Sequence, residues 1–322
     1  MTESSGAVRR DRLRIVYFGT PAFAVPSLEA LLHSRHDVVA VVSQPDRPRG
    51  RGQQLQPTPT KQIALHHHVP VLQPTRIKDD AFLQQLRDVS PDLGVVAAFG
   101  RILPDVLLNI PPLGMINVHA SLLPKYRGAA PVHRAVLAGD AETGVTIMRV
   151  VTELDAGPTF SATVVPIPSD ATSGEIEAAL AVAGAALLVE VVDAMANGRA
   201  VETLQAHARA THAAKITKEE GVIDWTTPAA VIHDKVRGLQ PWPLASTTLH
   251  GARYVIRRSV VADGRSEPPG TIVTAHGDDL IVAAGEGTSL RILELQPEGR
   301  RAMAVREFLA GHRLTIGDRF GT

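Results

Sequence analysis

The first half of the chain alternates between apolar runs and segments with helical patterning. Three apolar runs have the composition of buried strands, at residues 13–19, 37–43 and 92–99. Thr20 offers an N-cap side chain and Pro21 suits the first helical position, so a helix is predicted over residues 22–33. A second helix is predicted over residues 77–87. Strands that alternate with helices predict an α/β domain whose doubly wound, mostly parallel, Rossmann-like sheet has right-handed crossovers.

A different pattern occupies the second half. Thr172 and Glu175 form a capping box that opens a long, alanine- and leucine-rich helix ending near Asn197. Glu190 and Asp193 interrupt its apolar stretch, which favours a packing helix over a membrane span. A helix is predicted over residues 228–238, and short β-like runs follow at 254–256, 271–273, 280–283 and 290–293. Short strands separated by glycine-bearing turns predict a small, OB-like β-barrel.

These patterns divide the chain into three parts. An α/β domain is predicted over residues 1–204, a polar linker over 205–217 and the barrel over 218–322. Residues 1–12 are polar and are predicted to form a disordered tail. No apolar signal-peptide region follows them, so we expect a cytoplasmic protein with no membrane partner. Small barrels serve both as nucleic-acid modules and as scaffolds, so the barrel alone assigns no role.

Composition narrows the classes of function. The chain has 322 residues, 44% of them hydrophobic, and a formal net charge of zero, which gives no overall sign of a nucleic-acid binder. It contains no cysteine, which excludes disulfides and thiolate metal sites. His66, His67 and His68 are adjacent, and three neighbouring side chains on a regular element cannot all face one ion. No metal is therefore expected to be required.

The strongest candidate for a site lies at the end of an apolar run. Asn117 and His119 are expected near the carboxyl end of a short strand, where residues two apart share a face. Asp155 follows a β-branched run and is also expected near a strand end. A carboxamide, an imidazole and a carboxylate at one sheet edge could move protons and stabilise an oxyanion. The alternative is that Asn117 caps a turn and His119 is a buried core histidine.

Two common kinds of site are excluded by missing motifs. Gly19 is followed by Thr20, Pro21 and Ala22, so the Gly-x-Gly-x-x-Gly fingerprint of a dinucleotide-binding domain is absent. Ser121 lacks the Gly-x-Ser-x-Gly context of a serine nucleophile, and no cysteine nucleophile exists. Attack by the nucleophile of a substrate therefore fits better than an acyl-enzyme.

A turn-rich loop over residues 44–54 concentrates positive charge. It carries Arg47, Arg49 and Arg51. Such a loop can be an ordinary solvated surface loop. It can also be an arm that binds phosphates, because guanidinium groups contact phosphate oxygens in pairs.

Several motifs together resemble one known family. The Asn-Val-His-Ala-Ser-Leu-Leu-Pro run at 117–124 and the Tyr-Arg-Gly-Ala-Ala-Pro run at 126–131 resemble the signature of folate-dependent formyltransferases. The arginine loop, the Lys-Ile-Thr-Lys-Glu-Glu run at 215–220, the Pro-Trp-Pro run at 241–243 and the Gln-Pro-Glu-Gly run at 296–299 resemble the members that act on an initiator tRNA. The resemblance extends from about residue 13 to residue 320.

This resemblance implies an activity and a set of site residues. It implies transfer of a formyl group from 10-formyltetrahydrofolate to the amino group of methionyl initiator tRNA, without a metal and by a monomer. The implied catalytic residues are Asn117, His119 and Asp155. The residues implied to line the folate site are Ser121, Leu122, Leu123, Pro124, Ile102, Leu103 and Pro104. Those implied to bind tRNA are Arg47, Arg49, Arg51, Lys215 and Lys218.

Three alternatives use the same residues differently. A formyltransferase that acts on a small amine, such as an amino-sugar nucleotide or glycinamide ribonucleotide, has the same signature without a need for the arginine loop. A formyltetrahydrofolate hydrolase would direct the same three side chains at water. An RNA-binding protein without activity would give Asn117, His119 and Asp155 no reason to occur together.

Overall fold

The computed structural model of the protein describes residues 11–49, 54–264 and 266–321. Most of the predicted tail over 1–12 therefore lies outside the described residues. The chain forms two compact units, and each contains more than one stretch of the sequence. Residues up to Gly128, with Thr143–Val165 and Glu177–His212, form the first unit. Ala129–Glu142, Pro166–Ile176 and the residues from Ala213 onward form the second.

The first unit is built on a seven-stranded sheet. Its elements are β1 (Arg14–Gly19), α1 (Val25–Leu32), β2 (Asp37–Val42), β3 (Arg47–Arg49), β4 (Gln54–Gln56), α2 (Pro59–His66), β5 (Val71–Leu72), α3 (Asp80–Asp88), β6 (Leu93–Ala97), α4 (Asp105–Leu108), β7 (Met115–His119), β8 (Arg127–Gly128), β9 (Glu142–Arg149), β10 (Thr159–Pro166) and most of α6 (Ser173–Ala196). The strand order in the sheet is β10-β9-β7-β6-β1-β2-β5. The predicted doubly wound, mostly parallel sheet is confirmed.

The parallel strands bring their carboxyl ends together at one end of the sheet. β1 is parallel to β2 and β6, and β7 is parallel to β6, whereas β9 runs antiparallel to β7. The chain leaves β1 toward β2 and β5, then returns to the other side of β1 as β6. Ligands of open α/β sheets bind beyond the carboxyl ends of the strands near such a reversal.

Apolar side chains fix the centre of this sheet. Tyr17 and Phe18 on β1 are fully buried, and the Phe18 ring meets the Phe99 ring edge to face at 5.4 Å between centroids. The Tyr17 hydroxyl donates to the Ala24 carbonyl at 2.5 Å. Burial raises the pKa of Tyr17, so its phenol remains a neutral donor. Leu28 and Leu31 of α1 are also fully buried, which fixes α1 to the sheet.

Two predicted helix boundaries are wrong by a few residues. The first α-helix begins at Val25, because residues 22–24 form a 3-10 turn and Pro26 lacks the N–H of a continuing ladder. Thr20 does not cap it; its hydroxyl instead lies 3.5 Å from the Phe99 carbonyl. The second helix occupies Asp80–Asp88 rather than 77–87, since Asp79 is still extended.

The long helix α6 agrees with its sequence signals. Thr172 and Glu175 form the predicted capping box, in which the Glu175 N–H donates to Thr172 Oγ1 and the Thr172 N–H donates to Glu175 Oε2. By length and composition alone α6 could cross a membrane, but 44% of its most apolar window is buried. Leu180, Leu188 and Val192 are fully buried, as a packing helix requires.

The second unit contains an antiparallel sheet, as predicted for the C-terminal domain. Its elements are α5 (Pro131–Leu137), β11 (His212–Ala213, at the boundary), α7 (Ala229–Gly238), β12 (Ala245–Leu249), β13 (Ala252–Ala262), β14 (Ile272–His276), β15 (Asp279–Ala283), β16 (Ser289–Pro297), β17 (Met303–Ala304) and α8 (Val305–Gly311). The strand order is β12-β13-β16-β15-β14, and β17 pairs with β16. Trp225 stacks on Phe320 at 5.7 Å and donates its indole N–H to Thr247 Oγ1, so the aromatic core leaves no polar atom of Trp225 unpaired.

Candidate active site

The strand β7 carries two of the predicted site residues to the carboxyl edge of the sheet. Asn117 lies between Val96 of β6 and Met148 of β9, and His119 lies opposite Thr146. Asn117 and His119 are two residues apart on one strand, so their side chains project from the same face. His119 is buried and Asn117 is half-buried. The predicted strand-end position of both residues is confirmed.

The hydrogen bonds of His119 define its tautomer. Its Nε2 lies 3.0 Å from the backbone carbonyl of Tyr126, which can only accept, so Nε2 carries the proton and donates. Its Nδ1 faces Asp155 Oδ2 at 3.7 Å. This separation is longer than a hydrogen bond, so the ring nitrogen and the carboxylate oxygen face one another without a direct hydrogen bond.

Asp155 is held from two sides. It lies in the turn after β9, and its Oδ2 accepts the Gly128 N–H at 2.8 Å. Its backbone carbonyl accepts from the Gln205 side chain at 2.9 Å. Asp155 has φ +50°, the left-handed region that most non-glycine residues avoid but aspartate tolerates. Strained backbone of this kind is concentrated at functional sites.

The turn after β7 contains the residues that the resemblance assigns to folate. Ser121 is fully buried and donates to the Lys125 carbonyl at 2.6 Å. Thr146 of β9 supports the turn, since its hydroxyl donates to the Ser121 carbonyl and accepts the Leu123 N–H. Leu122 packs so closely on Gly144 that a Cβ there would collide with it. Pro124 is half-buried, like Leu122 and Leu123.

The second group of predicted folate residues divides in two. Ile102 is 75% exposed, whereas Leu103 is buried in the core with Phe99 and Leu107. Pro104 is half-buried and precedes α4. Leu103 therefore has a packing role, and Ile102 is the member of this group that is free to contact a ligand.

The predicted arginine loop contains a short hairpin. β3 and β4 pair in antiparallel register, and Arg47 lies opposite Gln56. The structure therefore has a hairpin within the range of the predicted turn-rich loop. Arg47 is exposed on β3, and Arg49 ends the same strand. Arg51 lies outside the described residues.

Polar side chains fix the base of this hairpin. Lys61 Nζ donates to Asp46 Oδ2 at 2.5 Å and to Gln73 Oε1 at 2.7 Å, and Gln73 Nε2 donates to Asp46 Oδ1 at 2.7 Å. The hydrogen bonds from Lys61 and then Gln73 hold the pKa of Asp46 below its usual value. Asp46 therefore remains charged at neutral pH and ties the first hairpin strand to α2.

The two predicted tRNA-binding lysines lie in the second unit. Lys215 and Lys218 are both exposed. Between them and α5, Arg134 donates to the backbone carbonyl of Lys215 at 3.3 Å and forms an ion pair with Glu220 at 2.5 Å. The backbone of this segment is thus held while the lysine side chains project into solvent.

The histidine run offers no metal site within the described part of the chain. The rings of His66 and His67 meet edge to face at 5.2 Å, and His67 meets His33 in the same way. Over residues 11–49, 54–264 and 266–321, no three histidine, cysteine, aspartate or glutamate side chains are grouped as metal ligands.

Sequence patterns missed three groups that shape this site. Thr146, the Tyr126 carbonyl and Gln205 all contact the candidate residues or their turns. Gln205 falls within the predicted polar linker, yet its side chain is buried against the Asp155 turn. The polar composition around it gives no signal of this burial.

Both parts of the chain match known domain families. The formyl transferase family model matches residues 13–192, and the formyl transferase C-terminal domain model matches residues 215–313. The chain belongs to the formyl transferase family.

Proteins of known name support the same assignment. The methionyl-tRNA formyltransferase of Trichlorobacter lovleyi is 46% identical over 94% of this chain and 96% of its own length. That of Roseiflexus castenholzii is 48% identical over 96% of this chain and 99% of its own length. An N-formyltransferase from Helicobacter canadensis, solved with folinic acid and dTDP-3-aminofucose, shares the fold with a TM-score of 0.65 at 17% identity, over 88% of this chain and 99% of that one.

Proposed function

We infer that this protein transfers the formyl group of 10-formyltetrahydrofolate to the amino group of methionyl initiator tRNA, which gives N-formylmethionyl-tRNA for translation initiation. The observation that carries this conclusion is identity of 44–48% to methionyl-tRNA formyltransferases over about 95% of the chain, through both domains. The solved formyltransferases whose substrates are small amines share the fold at only 17% and 20% identity.

The chemistry requires a neutral amine. An α-amino group has a pKa of about 7.7–8.0, so a large part of it is protonated near neutrality and must lose a proton before it attacks the formyl carbon. His119 Nδ1 and Asp155 Oδ2 face one another at 3.7 Å. We assign them to accept that proton and pass it to solvent. They then take the proton that the attacking nitrogen loses in the tetrahedral intermediate and return one to N10 of the folate as the bond between the formyl carbon and N10 breaks.

Asn117 has the complementary role. Its carboxamide is an uncharged donor on the same strand face as His119, and we assign it to the oxyanion of the tetrahedral intermediate. One good oxyanion donor contributes roughly 3–4 kcal/mol to the transition state in other enzymes. The proposed catalytic set is thus Asn117, His119 and Asp155, and no covalent enzyme intermediate is needed.

The formyl donor is assigned to the turn after β7. Ser121, Leu122, Leu123 and Pro124 lie beside the catalytic strand, held by Thr146, and we propose that they line the folate site. Ile102 is exposed and is proposed to border the pterin, with Leu103 and Pro104 supporting it. We propose that the reaction needs no metal, because proton transfer and oxyanion stabilisation are supplied by side chains.

The tRNA is assigned to cationic surfaces in each unit. Arg47 is exposed on the hairpin, and we propose that Arg49 and Arg51 act with it on phosphates. Lys215 and Lys218 are both exposed, and they are proposed to contact the tRNA from the second unit. We propose a cytoplasmic monomer, as initiator tRNA and folate are both soluble substrates.

A single labelling experiment tests this function. The protein is incubated with 10-formyltetrahydrofolate labelled in the formyl group and with charged initiator tRNA, and charged elongator tRNA is the control. We expect label in the aminoacyl group of the initiator tRNA only. Labelled formate without an acceptor would identify a hydrolase, and label in a small amine but not in tRNA would identify a small-amine transferase; either result contradicts the proposal.

A further inference from the structure

Residues 203–211, which we name the bracing segment, run past both members of the His119–Asp155 pair. Thr203 and Thr159 exchange two backbone hydrogen bonds of 2.8 and 2.9 Å, which fixes one end of the segment beside β10. At the other end, the Thr211 carbonyl accepts the Arg127 N–H at 2.9 Å. The segment is therefore tied to the same unit at both ends.

Gln205 contacts the Asp155 turn from within this segment. Its Nε2 donates to the Asp155 carbonyl at 2.9 Å and to the Gly157 carbonyl at 2.7 Å. Its Oε1 accepts from Arg127 Nε at 3.1 Å and Nη2 at 2.7 Å. Carbonyls cannot donate and a guanidinium cannot accept, so the partners fix which end of the carboxamide is nitrogen. Gln205 is 7% exposed and uses all four of its usual hydrogen bonds.

Thr211 serves the other member of the pair. Its Oγ1 accepts the Tyr126 N–H at 2.8 Å. Tyr126 supplies the carbonyl that accepts the His119 Nε2–H at 3.0 Å and so sets the orientation of the imidazole. The bracing segment thus contacts His119 indirectly, through Tyr126. It contacts Asp155 directly, at the backbone carbonyl of that residue.

The two residues that the segment holds share an unusual backbone. Asp155 has φ +50° and Tyr126 has φ +59°. A left-handed conformation costs a non-glycine residue roughly 1–3 kcal/mol and persists only where the surroundings enforce it. In each case a side chain of the bracing segment hydrogen-bonds the backbone of that residue.

We propose that Gln205 and Thr211 are positioning residues for the formyl transfer, which set the approach of Asp155 and His119 to one another. This inference rests on the proposed function, because it assigns the pair its proton-accepting role. Neither side chain needs to touch a substrate. Their effect is on how often the pair is in the productive arrangement.

Gln205→Met is the principal test, because methionine keeps the length and removes all four hydrogen bonds. A displacement of about 1 Å in a catalytic group can cost about 100-fold in rate, so we expect kcat to fall by about 10- to 100-fold. The KM values for initiator tRNA and for the formyl donor should change little. Thr211→Val, which removes one acceptor, should give a smaller loss in kcat.

Two matched variants separate positioning from general destabilisation. Thr203→Val makes the same chemical change as Thr211→Val in the same segment, at an exposed side chain whose backbone alone makes the bridge. Gln85→Met makes the same change as Gln205→Met on the exposed face of α3. Both controls should retain wild-type kcat. Should Gln205→Met fail to fold, the Thr211→Val and Thr203→Val pair decides the question.

A double-mutant comparison tests the route of the effect. If Gln205 acts through Asp155, Gln205→Met should cause little further loss of kcat in an Asp155→Asn background. Two results would overturn the bracing role alone, provided that the wild type is active. One is an unchanged kcat in Gln205→Met. The other is a loss of kcat from Gln205→Met that is as large in the Asp155→Asn background as in the wild type. An inactive wild type instead contradicts the proposed function, and with it the inference built on it.

Discussion

Two regions of the first unit carry ionisable side chains, which are buried in one region and exposed in the other. At the end of β7, His119 and Asp155 have side chains only 6% and 13% exposed, and each is fixed by hydrogen bonds to backbone groups. On the β3–β4 hairpin, Arg47 is exposed, and the fixed part is the base of the hairpin at Asp46 and Lys61. At the end of β7 the functional side chains themselves are fixed. On the hairpin only the base is fixed, and the functional side chain of Arg47 is left exposed.

The difference corresponds to two kinds of task. Moving a proton requires groups held in place before the substrate arrives, in surroundings from which water is largely excluded. Binding phosphates needs exposed cations that attract the nucleic acid over a distance and adapt to its backbone. Substitutions in the first region should therefore change kcat independently of salt. Substitutions in the second should change tRNA affinity in a salt-dependent way.

The largest expected effect is at the catalytic strand. His119→Ala and Asp155→Asn should each lower kcat by about 10²- to 10⁴-fold, because they remove a general base. Asn117→Ala should lower it by about 10²- to 10³-fold through the lost oxyanion donor. Initiator-tRNA affinity, measured by filter binding, should remain near that of the wild type.

The matched control for this series is His33→Ala, which removes an exposed histidine at the C-terminal cap of α1. It should leave kcat unchanged. Near wild-type turnover for any of the three site variants would remove that residue from the mechanism. Loss of tRNA affinity together with kcat would mean that the two regions are not separable in function.

An intermediate effect is expected at the hairpin. Arg47→Ala should weaken binding of initiator tRNA at low salt and leave kcat at saturating tRNA unchanged. If Arg47 contacts one phosphate, the slope of log affinity against log salt concentration should fall in magnitude by about 0.7–0.9. Binding titrations between low and physiological salt measure this slope.

Arg87→Ala provides the comparison, because it removes an exposed arginine of the same unit from α3. An equal change in slope for both variants would show that net charge, and not the hairpin, governs binding. Identical low-salt affinity for wild type and Arg47→Ala would exclude Arg47 as a phosphate contact.

The smallest effect concerns the base of the hairpin. Asp46 has a lowered pKa in the folded protein, so its charged form stabilises the fold at every pH above the ordinary carboxyl pKa, and this contribution is lost as the pH falls through the lowered value. Asp46→Asn should therefore reduce the free energy of unfolding by about 0.5–1 kcal/mol at pH 7. The difference from the wild type should be constant down to about pH 5 and should shrink below about pH 4, near the reference carboxyl pKa.

Urea unfolding of both proteins at several pH values measures this difference. Asp88→Asn, which removes an exposed carboxylate of α3, is the control, and its free energy of unfolding should differ little from that of the wild type because exposed charges contribute little to stability. A difference between wild type and Asp46→Asn that grows toward acid pH would contradict the assignment of Asp46 as a charged anchor.

Sequence signals predicted the parts of the fold that depend on interactions between residues close together in the chain. Apolar residues ending at Asn117 and His119 predicted the end of β7, and Thr172 with Glu175 predicted the start of α6 to the residue. The first helix begins later than predicted, although Thr20 and Pro21 have the character of a helix start. The 3-10 turn over 22–24 and Pro26 delay the α-helix to Val25.

What the sequence could not predict depends on contacts between distant residues. Gln205 and Asp155 are 50 residues apart, and their hydrogen bond exists only once residues 203–211 run beside β10. Nothing in the polar composition around Gln205 distinguishes a buried carboxamide from a solvated one. The same reason explains Leu103, which is a core residue although its neighbour Ile102 is exposed.

The left-handed backbone of Asp155 has a consequence for anyone who randomises this position. A variant there is selected twice, once for the chemistry of its side chain and once for its tolerance of φ +50°. Asparagine meets the second condition and fails only the first, whereas alanine or glutamate is penalised in both respects. In a saturation library, an excess of asparagine and glycine among soluble but inactive clones would show backbone selection acting separately from catalysis.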